Sequence, residues 1–132
     1  MNEETEDIPE SLRRESSYAL LYEHAVDGIY FTDLDGRIDA ANPRYCAMLG
    51  LPPEKVVGQS CGAFQAPEDR ARLSERLMLV RKLKALRGER ILLRGDGTTF
   101  AAEVSSQTLP NDRILVIVRD ITERRHAEEA LR

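Results

Sequence analysis

Residues 90 to 132 read RILLRGDGTTFAAEVSSQTLPNDRILVIVRDITERRHAEEALR, and three changes of pattern within them decide the fold. Arg90 to Arg94 is β-prone and meets Gly95-Asp96-Gly97, a turn signal because glycine accepts the positive φ of a tight hairpin. Thr98 to Leu109 then alternates, with Phe100, Ala102 and Val104 set against Ala101, Glu103 and Ser105, the period of a strand with one buried face. Pro110, Asn111 and Asp112 turn the chain into Ile114 to Val118, a continuous apolar run suited to a central strand. Three consecutive antiparallel strands follow from this. After Arg119 the period switches to that of a helix, with Asp120 at the cap and Glu123 three residues on. Ala127, Ala130 and Leu131 give this helix an apolar edge, and the pattern reaches Arg132 with no stop signal, as if the chain went on.

Upstream, the reading is mostly helical with one further hairpin. Asp7, Pro9 and Glu10 form a capping signal for a helix over 7–26, preceded by an acidic tail at 1–6 expected to be disordered. Leu12, Tyr18, Leu21, Tyr22 and Ala25 share one side of that helix, making it amphipathic. Gly28 to Thr32 and Arg37 to Ala41 are strand-like and flank Asp33-Leu34-Asp35-Gly36, a second hairpin. Asn42 and Pro43 open a short helix that Gly50 stops. Pro52, Pro53 and Gly58 impose short turns. A longer helix is expected from Glu68 to Leu86, carrying Leu73, Leu77 and Val80 at helical spacing, with Gly88 as its stop.

Composition narrows the function classes. The chain has 132 residues, 42% hydrophobic and 32% charged, as expected of one globular domain with one core. No apolar run is long enough for a membrane span, and the acidic N-terminus lacks the features of a secretory signal, so a cytoplasmic location without membrane insertion is expected. The net charge of −4 hides a basic stretch: Glu68 to Arg94 holds nine Arg or Lys against four Asp or Glu. It has no aromatic for base stacking, and a solvated helix face explains it without nucleic acid. Cys46 and Cys61 match no metal or redox spacing and read as buried thiols. No nucleophile with its base, phosphate loop or metal cluster is present, so no catalysis is expected: Asp33 and Asp35 suit turns, and Glu68 and Asp69 suit a first helical turn.

The order helix, two strands, short helices, a longer helix, three strands, helix resembles the PAS fold. The segments that carry the resemblance are LYEHAVDGIYFTDLD (21–35), NPRYCAMLGLPPEKVVG (42–58), PEDRAR (67–72), DGTTFAAEV (96–104) and RDITERRHAEEALR (119–132). It implies an α+β domain, with a five-stranded antiparallel sheet, helices over one face, a core at 27–121, and amphipathic helices flanking it. It also implies a sensor of a small molecule or a partner, relaying through Asp120, Ile121 and Thr122 into a C-terminal helix that begins at 122–132. That helix would lead to an output domain beyond Arg132, a histidine kinase or a cyclic-dinucleotide enzyme. The flanking helices would pair in a homodimer, with Leu12, Tyr18, Leu21, Tyr22 and Ala25 at the interface. Phe31, Tyr45, Met48, Cys61, Phe64, Leu77, Leu92, Ala102, Val104 and Val118 are the candidates to line an apolar cavity for a small apolar ligand; the same residues describe a filled core. A structural PAS dimerisation module that binds nothing is the alternative.

A second alternative is a flavin photoreceptor, because GQSCGAFQ (58–65) resembles the LOV signature GxNCRFLQ, with Cys61 and Gln65 on matching positions. Ser60, Gly62, Ala63 and Phe64 depart from that signature, and the arginine that would hold the flavin phosphate is missing. Leu92, Ala102 and Val118 stand where LOV strands carry amides that bond the ring. Haem would need a histidine on the long helix; His24 and His126 lie outside it. Neither flavin nor haem is therefore expected as a cofactor.

Overall fold

The computed structural model describes residues 10 to 131, with side chains from Ser17 onward. In chain order the elements are α1 (Glu10–Glu23), β1 (Gly28–Thr32), β2 (Ile38–Ala41), α2 (Pro43–Leu49) and α3 (Pro53–Val56), then a 3-10 turn (Cys61–Phe64). After that come α4 (Pro67–Arg70), α5 (Leu73–Leu83), β3 (Ala85–Leu93), β4 (Thr99–Leu109), β5 (Arg113–Asp120) and α6 (Thr122–Ala130). The five strands form one antiparallel sheet in the order β2-β1-β5-β4-β3, so the apolar β5 is its centre. This is the expected α+β architecture.

Side-chain chemistry makes the turns. In the β1–β2 hairpin an Asp33 carboxylate oxygen accepts the N–H groups of Asp35 (2.9 Å) and Arg37 (3.0 Å), and Gly36 takes φ +88°. Between β3 and β4, Asp96 accepts from both the N–H (2.9 Å) and the hydroxyl (2.6 Å) of Thr98. Helix α2 is capped as expected: the Asn42 side chain accepts the Tyr45 N–H, Pro43 follows, and Gly50 closes the helix at φ +67°.

Several boundaries differ from the sequence reading. The long helix expected over 68–86 is two helices, broken at Ala71 and Arg72, and it ends at Lys84 in a left-handed conformation with φ 72°. Leu86 and Gly88 belong to β3, which begins at Ala85 and spans nine residues rather than starting at Arg90. The reason is tertiary. Strand β4 is 11 residues long and offers partners through Gln107, so residues with good helix propensity are drawn into ladder pairs such as Ala85 with Gln107 and Leu86 with Ser106. At the other end, α1 stops at Glu23 rather than Val26, and Val26 is exposed. The expected disordered tail at 1–6 and the Asp7 cap lie outside the described residues.

The sheet has two faces. Tyr30, Val116, Ser106 and Leu86 form one cross-strand row, and Gly28, Val118, Val104 and Gly88 the next, both facing α2 to α5. Gly28 is needed there because a Cβ would stand 3.1 Å from the Tyr45 Cα and 3.2 Å from the Met48 sulfur. The opposite face carries Ile29, Phe31, Leu115 and Ile117, and is flanked by α1 and α6.

Candidate functional site

A cavity of about 50 Å³ lies between the helix-facing side of the sheet and α5. Its floor is Tyr30 and Thr32 of β1, Ile114 and Val116 of β5, Val104 and Ser106 of β4, and Leu86 and Arg90 of β3. Leu73, Arg76, Leu77 and Val80 of α5 close it from above, and Cys61 and Gln65 from the 3-10 segment form the side. Helix α5 reaches over the floor because Lys84 reverses the chain and its carbonyl accepts the Thr108 N–H (3.0 Å).

The side wall is fixed by Arg70 and Asp69. Arg70 donates to the carbonyls of Gly62 and Gln65, both at 2.9 Å. Asp69 accepts from the Arg76 guanidinium (2.8 Å) and from the Ile91 N–H (2.8 Å), tying α5 to β3. This leaves polar atoms facing a small space. Gln65 is 8% exposed, and its Oε1 is buried with no hydrogen-bond donor among the described residues. The Arg90 side chain folds back over Gly88, where a methyl group would collide with the guanidinium, and it donates to the Glu89 carbonyl at 2.9 Å. Burial, and then the neighbouring Arg76, lower the Arg90 pKa, which marks a site of uncompensated positive charge.

Deeper in the wall, the Tyr30 and Tyr45 rings pack at 4.5 Å between centroids. Burial raises the pKa of both hydroxyls, with Cys61 as the next cause. Burial likewise pushes the Cys61 thiol up to about 11, so it stays protonated and unreactive near neutral pH.

Of the residues expected to line the cavity, Cys61, Leu77 and Val104 do so. Tyr45, Met48, Phe64, Leu92, Ala102 and Val118 are buried in the surrounding core instead. Phe31 is a correction: the pleat of β1 turns it to the opposite face, where its ring lies 5.9 Å from that of Tyr22 on α1. The expected wholly apolar lining is also incomplete, since Thr32, Gln65, Arg76, Arg90 and Ser106 face the same space. Arg90 and Ser106 lie two residues from Leu92 and Val104 on the same strand faces, so the alternation carried the signal for both.

The floor strand β5 leads out of the cavity. Ile121, just past its end, is 2% exposed and donates its N–H to the Ala101 carbonyl at 3.1 Å. Asp120 accepts the Thr122 N–H (2.9 Å) and hydroxyl (2.6 Å), and the N-cap position of α6 is Ile121 rather than the expected Asp120, which stands one residue before it. On α6, Arg124 lies near Glu103 of β4 (3.8 Å) and Glu89 of β3 (3.7 Å). Arg119 of β5 pairs with Asp27 at 3.2 Å, just before β1.

Helix α1 is tethered by a residue whose sequence signal was only that of a cap. Asn42 is fully buried; its Oδ1 accepts from Ile29 and Tyr45, and its Nδ2 donates to the carbonyls of Tyr22 (2.9 Å) and Asp27 (3.2 Å). Among the expected interface residues, Tyr18 and Leu21 are exposed at 62% and 68%, Tyr22 and Ala25 are half-buried, and the side chain of Leu12 lies outside those described. Among the described residues no helix is long and apolar enough to cross a membrane, and no cluster of three or more His, Cys, Asp or Glu could hold a metal ion.

Comparison with known proteins agrees with this geometry. The sensor histidine kinase TmoS of Ectopseudomonas mendocina is 30% identical over 126 residues, covering 89% of this chain; the chain spans only 13% of that protein's length. A domain of a sensory box sensor histidine kinase/response regulator from Geobacter sulfurreducens superposes with a TM-score of 0.77 at 28% identity, covering 83% of this chain and 96% of that one. The PAS domain of an HTR-like protein from Haloarcula marismortui gives 0.72 at 33% identity, covering 85% and 97%. The profile of the PAS domain matches residues 26–123, from the end of α1 to the start of α6, and the chain belongs to the PAS domain family.

Proposed function

We propose that this domain senses a small molecule in the cavity under its sheet and relays occupancy through α6, working without catalysis of its own. The observation that carries the reading is the double role of β5. Ile114 and Val116 form cavity floor, and the same strand runs without interruption to Asp120, Ile121 and the first turn of α6. A shift of the floor is therefore a shift of the helix root. In this reading α6 continues into an output domain, a histidine kinase in keeping with TmoS, and the protein works in the cytoplasm. Tyr18 and Leu21 of α1 are placed against a second copy of the chain.

The reading uses no flavin and no haem. Leu92, Ala102 and Val118 fill the core and offer no side-chain hydrogen bond, and about 50 Å³ is far below the several hundred cubic ångströms of an ordinary cofactor site. The test is amide hydrogen exchange of the chain with and without saturating small organic solutes, alongside its mass in solution. Slower or faster exchange across β5 and α6 on binding supports the relay. Binding that leaves α6 exchange unchanged refutes it. Dimer formation without any response to solutes would instead favour the structural dimerisation module, for which the exposed apolar side of α1 is the specific support.

A further inference from the structure

The cavity contains more charge than an apolar ligand needs. Arg76 and Arg90 both line it, and one carboxylate serves them: Asp69 spends one oxygen on Arg76 and the other on the Ile91 N–H. Among the described residues Arg90 has only the Glu89 carbonyl as a hydrogen-bond acceptor, although a guanidinium has five N–H donors. The Arg90 nitrogens without a protein partner are reached by solvent, and an anionic acceptor replaces water there with charge-assisted bonds. Beside it, the Gln65 amide has a buried end without a partner.

We infer that the occupant of this cavity is a short-chain carboxylate, its carboxylate group held by Arg90 and Gln65 and its alkyl end against Leu77, Val80, Val104 and Val116. A planar carboxylate matches the fork of a guanidinium with two charge-assisted bonds, whereas an alcohol offers it one neutral acceptor and a hydrocarbon none. Gln65 can turn its amide N–H toward the same group, since the two ends of the amide exchange by rotation about one bond. Size sets the chain length. One water-sized group needs roughly 10–15 Å³ of such space, so about 50 Å³ admits about four non-hydrogen atoms. Acetate, with four, fits, and propionate, with one more, is the upper limit. Gly88 belongs to the same device, because only a residue without a side chain lets the Arg90 guanidinium lie flat along the floor.

The inference rests on the sensing reading above, and the experiment separates the two. The chain, in chloride buffer, is titrated with sodium acetate or propionate, and in parallel with ethanol or propanol. Methyl resonances of Leu77, Val80, Val104 and Val116 and the guanidinium Nε–H of Arg90 are followed by NMR. Saturable shifts of both sets with carboxylates, weakened on the order of tenfold or more by Arg90→Gln, are the expected result. The Arg90 resonance in the unmodified chain decides the matter even if the variant does not fold. If alcohols move the cavity methyls and carboxylates do not, the carboxylate inference is overturned while small-molecule sensing stands. Should carboxylates shift only exposed arginines and leave the methyls unmoved, they are surface counter-ions and the inference fails. No shift from either class removes the carboxylate and leaves the sensing reading without this support.

Discussion

Replacing Asn42 with alanine should be among the most damaging single changes in this domain. The side chain makes four hydrogen bonds, accepting from Ile29 (2.9 Å) and Tyr45 (2.9 Å) and donating to Tyr22 (2.9 Å) and Asp27 (3.2 Å), and it is fully buried. Alanine leaves two N–H groups and two carbonyls without these partners. The two N–H groups are deep and cost about 1–2 kcal/mol each, while the carbonyls, nearer the surface, cost roughly 0.5 kcal/mol each, giving about 3–5 kcal/mol. A domain of this size is stable by about 5–15 kcal/mol, so roughly a fifth or more of its stability is at stake. With an unfolding entropy of about 2.1 cal/mol/K per residue, Tm should fall by about 10–18 °C. Urea and thermal unfolding followed by circular dichroism measure the loss, and hydrogen exchange should show α1 released before the sheet. Asn42→Ser, which keeps a capping acceptor for Tyr45, should recover about 1 kcal/mol. A loss below about 1 kcal/mol for Asn42→Ala would refute the tether, because it would mean that water replaces all four bonds at no cost.

Three further outcomes follow from the same geometry. Gly28→Ala places a Cβ 3.1 Å from Tyr45 of α2 and should destabilise by about 1–3 kcal/mol in chemical denaturation, unless α2 moves off the sheet. The Cys61 pKa is raised by burial to about 11 from 9.0, so its protonated form is favoured in the fold; that contribution is complete below pH 9 and is lost as pH rises toward 11. The raised Tyr30 and Tyr45 act in the same direction, so melting temperature should decline above pH 9, and native alkylation of Cys61 at pH 8 should be about a hundredfold or more slower than that of an exposed thiol. Asp120→Ala removes both bonds to Thr122 at an exposed site and should cost about 1 kcal/mol or less in global stability while speeding amide exchange in the first turn of α6; unchanged exchange there would count against its part in the relay.

Most of the sheet was legible because its signals are local. The Asp-Gly turns, the alternation around Ala102 and the apolar run through Val116 each state a strand or a turn without reference to anything distant. Ala85 to Glu89 was not legible, because these residues become a strand only by pairing with the far end of β4, and nothing nearby says that β4 is long enough to receive them. The polar lining was missed for another reason: Arg90 and Ser106 stand two residues from Leu92 and Val104 and share their faces by strand alternation, but the cavity was read from its apolar residues alone. Phe31 failed for a smaller reason: in a five-residue strand with apolar residues on both faces, the pleat cannot be assigned from sequence, and Gly28 set it by admitting Tyr45. Asn42 announced its cap through Pro43, but its bonds to Tyr22 and Asp27 depend on where α1 ends, which the 7–26 pattern overstated.

The magnitudes on the two sides of the relay are matched. An occupant of about four non-hydrogen atoms can supply at most roughly 6 kcal/mol at the best efficiencies known for very small ligands, and only the part that differs between two conformations can move an equilibrium. A well-packed strand would not yield to that. Helix α6 would, because its described side chains are almost all exposed rather than packed into the core. Its attachments among the described residues include the two Asp120 bonds to Thr122, worth about 1 kcal/mol together at an exposed site, and the exposed Arg124 contacts to Glu103 and Glu89, worth about 0–1 kcal/mol each. The sum lies within reach of a small ligand. Ile121 is different: 2% exposed at the root of α6, it would hold that root in place in the proposed relay, so that a small displacement of β5 becomes a tilt at α6 rather than a general loosening. Because Arg119 of β5 also pairs with Asp27, beside the Asn42 tether of α1, the same strand can bias both flanking helices together.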